Sequence, residues 1–208
     1  MTPQQESFLG ALTDDGVTDP RVLDAMLRVP RDRFVESQFT SRAYDNLPLP
    51  IECDQTISQP SVVGLMTQEL RVDNRMKVLE VGAGSGYQTA ILAMLSRRVY
   101  ALERHGPLAA KAKTRLEALG LSNVILSHGD GSEGWPRHAP FDRIMVAAAA
   151  EDPPRPLLDQ LRVGGVMILP IGEEGALQQL IKVTRNEDGY TYDELSTVRF
   201  VPLLHGYG

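Results

Sequence analysis

Val78-Leu79-Glu80-Val81-Gly82-Ala83-Gly84-Ser85-Gly86-Tyr87 is the stretch on which the fold of this 208-residue chain turns. Residues 77–81 form a short apolar run with β-branched members, which predicts a buried strand. Three alternate glycines follow, and residues 86–95 then read as a helix. Glycines at a strand-to-helix junction let a backbone approach a ligand closely and leave the first helical N–H groups free. A dinucleotide fingerprint requires G-x-G-x-x-G. Here the spacing is G-x-G-x-G, and Tyr87 stands at the third fingerprint position, so that reading fails by one residue. Outward from the loop the period alternates. Strands are expected at 98–102, 123–127, 141–146 and 166–170, and helices at 107–119, ended by Gly120, and at about 154–161. Residues 179–184 and 190–200 flank Asn186-Glu187-Asp188-Gly189, the signal of an antiparallel hairpin. The sum is an α/β fold: a doubly wound, mostly parallel, seven-stranded sheet closed by a C-terminal hairpin.

Before about residue 76 the chain reads as short helices and loops. Asp19-Pro20 suits an N-cap and first helical residue, with Val22, Met26 and Val29 on one face; Pro30 ends that helix, and a short segment at 31–35 follows. Residues 1–75 are therefore expected to form a helical extension that carries part of the substrate site, packed on a ligand-binding core of residues 76–208 as one structural unit.

Three carboxylates fall at the C-terminal ends of three consecutive strands, where open α/β sheets bind ligands. Glu80 lies on the first strand, Glu103 ends the second, and Asp130 follows the third in His128-Gly129-Asp130-Gly131. Glu103 is placed to accept hydrogen bonds from a ribose diol, and Asp130 beside a backbone amide suits the edge of an adenine. Each acid alone would read as a solvated strand end; as a set they point to a nucleoside. A G-x-G-x-G loop with an acid on the preceding strand resembles the S-adenosylmethionine-dependent methyltransferases, whose fold is Rossmann-like.

The segment before the loop narrows the substrate class. Leu49-Pro50-Ile51, Gln55-Thr56-Ile57-Ser58-Gln59-Pro60, Val63 and Met66-Thr67 resemble the protein-L-isoaspartate O-methyltransferases. Agreement continues through the glycine loop, Gly129-Asp130-Gly131, Phe141-Asp142, Leu161, Gly164-Gly165, Leu169-Pro170-Ile171-Gly172 and Arg199-Phe200-Val201-Pro202-Leu203, nearly the whole chain. The resemblance implies a cytoplasmic repair enzyme that methylates the free α-carboxylate of L-isoaspartyl residues in damaged proteins and peptides. The ester then closes to a succinimide without further catalysis, and hydrolysis returns some normal aspartate. It also implies that Glu80, Gly82, Ala83, Gly84, Ser85, Gly86, Tyr87, Glu103, Arg104, Asp130 and Gly131 hold S-adenosylmethionine and its product S-adenosylhomocysteine. Ser58 takes the active-site position, with Thr56, Ile57, Gln59 and Pro60 shaping the pocket and Val201, Pro202 and Leu203 walling the substrate. A carboxylate acceptor is already ionised at neutral pH, so no general base is required and Ser58 is not a nucleophile. Its hydroxyl and nearby amides would orient the acceptor. Ser58-Gln59-Pro60 also reads as the cap of a helix starting at Pro60.

Two departures from the family pattern bear on the acceptor. The turn before T-I-S-Q-P, usually glycine-containing, is Glu52-Cys53-Asp54, and added acids there would repel an anionic substrate unless they point away. After the fourth strand, where the family often has Thr-Ala-Ala-Pro, this chain has four alanines, 147–150. These departures leave open a carboxyl methyltransferase acting on another peptide or small acid, or a binding module that has lost turnover. Other classes are disfavoured. Charge is 21 basic against 27 acidic residues, net −6, which argues against a nucleic-acid partner. Asp152-Pro153-Pro154-Arg155 has arginine where a base-stacking enzyme needs an aromatic. The longest apolar run, residues 144–150, is too short for a membrane span, and the N-terminus lacks a basic head and apolar core. One cysteine, Cys53, excludes an internal disulfide and suits a reducing cytoplasm. Four scattered histidines offer no metal-ligand spacing, so no metal is expected. His128 and Trp135 read as a locally satisfied strand end and a loop wall, and a monomer is the default.

Overall fold

The computed structural model describes residues 1–208. Seven strands form one sheet: β3 (Lys77–Val81), β4 (Arg98–Glu103), β5 (Val124–His128), β6 (Phe141–Val146), β7 (Leu161–Ile171), β8 (Gln178–Arg185) and β9 (Tyr190–Val198). Their spatial order is β5-β4-β3-β6-β7-β8-β9. The first five run parallel, and β8 and β9 join antiparallel as the expected hairpin, with Asn186 N donating to Gly189 O at 2.8 Å. The chain works outward from β3 to β5 and then returns to β6 on the other side of β3. That reversal opens a crevice at the C-terminal ends of β3, β4 and β6, the switch point at which such sheets take ligands.

Period-two alternation divides the central strands between two buried layers. Val78, Val99, Met145 and Ile168 face one side, with Met66 and Leu70 of α3 (Pro60–Leu70) and Leu92 of α4 (Tyr87–Leu95). Leu79, Val81, Ile144, Val146 and Met167 face the other, with Leu157 and Leu158 of α6 (Arg155–Gln160). Because both faces are covered, β3 is buried from Val78 to Val81, which is why it reads as an apolar run rather than an alternating one.

The N-terminal segment contributes α1 (Pro3–Asp14) and α2 (Pro20–Arg28). Thr2 and Gln5 form a capping box on α1, and Asp19 caps α2 ahead of Pro20. Val22 and Met26 of α2 enter a cluster with Tyr87, Ala90 and Ile91 of α4 and with Leu108 and Leu116 of α5 (Gly106–Ala118). The extension thus packs against the two helices that follow the first two central strands. Short 3₁₀ turns occupy Arg31–Phe34 and Ser37–Arg42.

One element lies outside the sequence expectation. Leu49–Pro50 (β1) and Thr56–Ile57 (β2) pair antiparallel as a small hairpin. Its turn places Cys53 at φ 59° and Asp54 at φ 56°, a left-handed pair that usually calls for Asn-Gly. Ser58 does not cap α3, in contrast to the expectation: the flanking residue is Gln59, whose side chain makes no cap bond, and Asn46 Oδ1 instead accepts from Ser61 N in the first turn at 3.0 Å.

Candidate active site

The glycine loop is held from both sides. Gly82 N and Ala83 N donate to Leu102 O at 2.9 and 3.1 Å, tying the loop to the end of β4. From α5, Arg115 Nη1 donates to Ser85 O at 3.2 Å. Gly82, Gly84 and Gly86 all have positive φ. At Gly86 (φ 90°) a Cβ would also press within 3.1 Å of the Ala112 Cβ, so glycine is needed for α4 to lie against α5.

Glu103 is the hinge of this arrangement. Its Oε2 accepts from Gly84 N at 2.7 Å and its Oε1 from His105 N at 2.9 Å, so one carboxylate braces the loop and the start of α5. The side chain still reaches the cavity wall while only 4% exposed. Each oxygen keeps a second lone pair, which a diol can use.

Glu80 does not reach the cavity. It is wholly buried, neither oxygen has a hydrogen bond of ordinary geometry, and burial, only partly offset by the nearby Thr89 hydroxyl and reinforced by the Glu103 charge, pushes its pKa up to about 8. At neutral pH its carboxyl is therefore largely protonated, and any part it plays in ligand binding passes through the loop behind which it lies.

Asp130 is also placed differently from the sequence expectation. Its Oδ1 accepts from Ser132 N and Oγ at 2.9 and 2.6 Å, and its Oδ2 from Gly206 N at 2.6 Å. Burial alone would raise its pKa, but these bonds outweigh that and hold it below the usual carboxylate value. The residue anchors the C-terminal tail, and its neighbour Gly131 takes the place on the cavity wall. Arg104 holds the same tail, donating to Gly206 O and Tyr207 O at 3.5 and 3.3 Å.

The cleft over the loop holds about 800 Å³ of space, counted out through its open mouth. Its wall on the glycine-loop side includes Gly82, Ala83, Gly84, Ser85, Tyr87, Glu103, Arg104 and Gly131. Thr56, Ile57 and Ser58 line it as well, with Val201, Pro202 and Leu203 of the C-terminal segment as its roof. Gly86 is inside the loop, and Gln59 faces an adjoining groove with Val62, Arg199 and Phe200. Pro60 is buried at the start of α3 and lines neither chamber. The two chambers share Thr56, Ser58, Ala147 and Val201, so Ser58 belongs to the wall they have in common.

Sequence reasoning missed Gln55, Gln88, His105 and Leu204 on the cavity wall. Gln88 had a local signal, one residue past Tyr87 on the first turn of α4. His105 and Leu204 reach the wall through tail and loop packing that no local pattern encodes. The roof is set by backbone pairing: Ala149 N donates to Val201 O at 2.8 Å and Leu203 N to Ala149 O at 2.7 Å. Gln178 clamps Phe200 through Oε1 and Nε2, at 2.7 and 3.1 Å. Because main-chain groups of the alanine stretch make these contacts, side chains there are not required for the roof.

The remaining sequence candidates fall outside the cavity. Glu52 pairs with Lys111 of α5, which offsets its charge, while Asp54 is exposed outside the cavity lining. His128 Nε2 lies 3.0 Å from Arg104 O and its ring meets Tyr207 edge-on. Trp135 packs against Tyr100 and His138, and Arg155 pairs with Asp159 on the surface. No group of three or more His, Cys, Asp and Glu side chains is arranged to hold a metal ion, and no helix is long and apolar enough to cross a membrane.

The family model described as protein-L-isoaspartate(D-aspartate) O-methyltransferase matches residues 3–208. The chain is 61% identical over 201 residues to the protein-L-isoaspartate O-methyltransferase of Paracoccus denitrificans, covering 97% of this chain and 93% of that one. Identity to the corresponding protein of Ruegeria pomeroyi is 59%, over 97% and 94%. Among solved structures, a protein-L-isoaspartate O-methyltransferase superposes with a TM-score of 0.87 at 29% identity, covering 98% of this chain and 67% of that one. A Plasmodium falciparum structure described as a putative protein-L-isoaspartate O-methyltransferase, in complex with S-adenosyl-L-homocysteine, gives 0.83 at 28% identity, over 96% and 98%.

Proposed function

This chain belongs to the protein-L-isoaspartate(D-aspartate) O-methyltransferase family, and on that premise we propose that it transfers a methyl group from S-adenosylmethionine to the free α-carboxylate of L-isoaspartyl residues in damaged proteins and peptides. The observation that carries the reading is that two neighbouring chambers, one built on the glycine loop, have Thr56, Ser58, Ala147 and Val201 in common as wall residues. A donor held in the first and a polypeptide lying in the second would meet there.

The glycine-loop side fits a nucleoside with a charged tail. Glu103 offers two oxygens with free lone pairs for a ribose diol, and Val81, Leu102 and Leu203 give apolar walls. S-adenosylmethionine, when bound, supplies a methyl group activated by its sulfonium centre. The residues of the chain bind, orient and exclude water. Glu103 and the close approach that the loop glycines permit fix one reactant, the Ser58 hydroxyl and neighbouring amides steer the acceptor carboxylate, and Val201–Leu203 shield the pair from solvent. The acceptor is ionised at neutral pH and needs no base. His105 also lines the cavity, and its backbone N–H donates to Glu103. The methyl ester leaves the cleft, the following backbone amide nitrogen attacks its carbonyl and expels methanol to close a succinimide, and water opens that ring in part to normal aspartate. We further read the chain as a cytoplasmic monomer, since its single cysteine suits a reducing compartment and no apolar helical stripe is left over from the core.

The test is methyl transfer from labelled S-adenosylmethionine to one short peptide in isoaspartyl and normal aspartyl forms. Base-labile label on the isoaspartyl form alone is the expected result. Label on neither peptide, with S-adenosylhomocysteine still bound, would refute the acceptor assignment.

A further inference from the structure

Arg31 heads the large side chains fully sealed from solvent in this protein, and it is a cation. It lies on the first 3₁₀ turn of the N-terminal extension, outside the walls of both chambers. Its Nε donates to Ala43 O at 2.8 Å, and its Nη2 donates to Ser58 O, also at 2.8 Å. The guanidinium sits over the Tyr87 ring, 4.7 Å from the centroid. Its Nη1 has no partner, and none of the ion pairs of the protein includes it.

Such a group is expensive. A buried charge is ordinarily paired, and an apolar side chain of similar volume would fill the same space without the desolvation cost. The contacts it does make are specific. Tyr87 opens α4 directly after the glycine loop, and Ser58 lines both chambers. Arg31 therefore grips both halves of the cleft from behind, and the planar fork of a guanidinium is the feature that reaches two carbonyls at once.

We propose that Arg31 is a positioning residue for the acceptor: it pins the Ser58 peptide in place, and its unpaired positive charge favours an anionic acceptor at the Ser58 end of the cleft. The inference rests on the methyltransferase reading above and adds a residue to it. Lysine at this position keeps the charge but reaches only one carbonyl; methionine keeps the stem and loses both.

The experiment compares wild type, Arg31→Lys and Arg31→Met by steady-state kinetics with an isoaspartyl peptide at saturating S-adenosylmethionine. Affinity for S-adenosylhomocysteine and thermal midpoint are measured alongside. The expected result for Arg31→Met is a peptide KM raised at least tenfold with S-adenosylhomocysteine affinity within threefold of wild type. For Arg31→Lys, kcat/KM falls about tenfold, mostly through kcat, because the charge remains while Ser58 is released. If Arg31→Met does not fold, the lysine variant carries the test by the same comparison of kcat/KM with donor-product affinity. A purely structural brace would instead lower the thermal midpoint and reduce Vmax with the active fraction, leaving KM unchanged, and that outcome overturns the proposal. Equal losses of peptide and donor-product affinity overturn it as well. Wild-type inactivity on the isoaspartyl peptide would refute the functional reading and this inference with it, whereas an active wild type with unaltered variants would refute the role of Arg31 alone.

Discussion

Replacing Glu103 by glutamine separates its two duties. The carboxylate accepts from Gly84 N at 2.7 Å and from His105 N at 2.9 Å, and hydrogen bonds to an ionised group contribute about 1.5–3 kcal/mol each. Glutamine keeps one acceptor oxygen, so one amide stays paired and the other faces an NH₂ group. The expected loss of stability is about 1.5–3 kcal/mol, roughly 3–10 °C in Tm for a domain of this size. A ribose diol loses an acceptor of similar worth, which raises the Kd for S-adenosylhomocysteine about 10- to 100-fold. Linkage gives a second readout. Ligand at 100 times the wild-type Kd stabilises wild type by about 2.7 kcal/mol but the variant by only about 0.4–1.4 kcal/mol. Calorimetric titration and thermal melts with and without ligand measure both quantities on the same preparations. Peptide kcat at saturating donor should stay within threefold. A lowered Tm with unchanged ligand affinity would mean that Glu103 braces the loop and touches no ligand. If neither quantity moves, the carboxylate contacts themselves are misjudged.

Ser58→Ala should lower kcat/KM for an isoaspartyl peptide about tenfold or more while S-adenosylhomocysteine affinity stays within twofold; parallel losses in initial-rate and titration experiments would remove its role as an acceptor guide. Cys53→Asn combined with Asp54→Gly places residues suited to positive φ in the β1–β2 turn, and a gain of about 1 kcal/mol is expected in denaturant unfolding, with activity unchanged. An unaltered or lowered midpoint would contradict the strain at this turn. Glu80 gives a pH signature. Its folded pKa, about 8, lies above the ordinary 4.5, so the folded state retains a proton that the unfolded chain loses, and stability falls as pH rises through that window. Glu80→Gln has no such proton to lose, so its stability relative to wild type should grow between pH 5 and pH 8, by up to several kcal/mol; parallel unfolding curves at the two pH values would show that the buried carboxyl is not perturbed.

The reach of sequence reasoning followed the range of the interactions involved. The strand–loop–helix at residues 77–95 was legible because a strand buried on both faces must be continuously apolar and a backbone-built ligand site needs glycine. Glu103 was legible for the same local reason, as the acid ending the next strand. The β1–β2 hairpin was hidden because Cys53 and Asp54 hold left-handed conformations that the eye assigns to glycine or asparagine. Asp130 looked like a ligand contact because its place after β5 is right; its capture by Gly206, 76 residues later, depends on where the tail crosses the sheet. Arg31 is the extreme case. Nothing in its neighbourhood of sequence predicts a sealed guanidinium, since Ser58 is brought to it only by the packing of the extension on α4.

The central claim, that donor and isoaspartyl acceptor meet at Ser58, is tested most directly by following one isoaspartyl peptide by mass spectrometry in the presence of the enzyme and S-adenosylmethionine. The account predicts a methyl ester on the α-carboxylate of the isoaspartyl residue, its conversion to succinimide, and then a rising share of the normal aspartyl peptide. An unmodified peptide, or methylation at any other carboxylate or side chain, would contradict it.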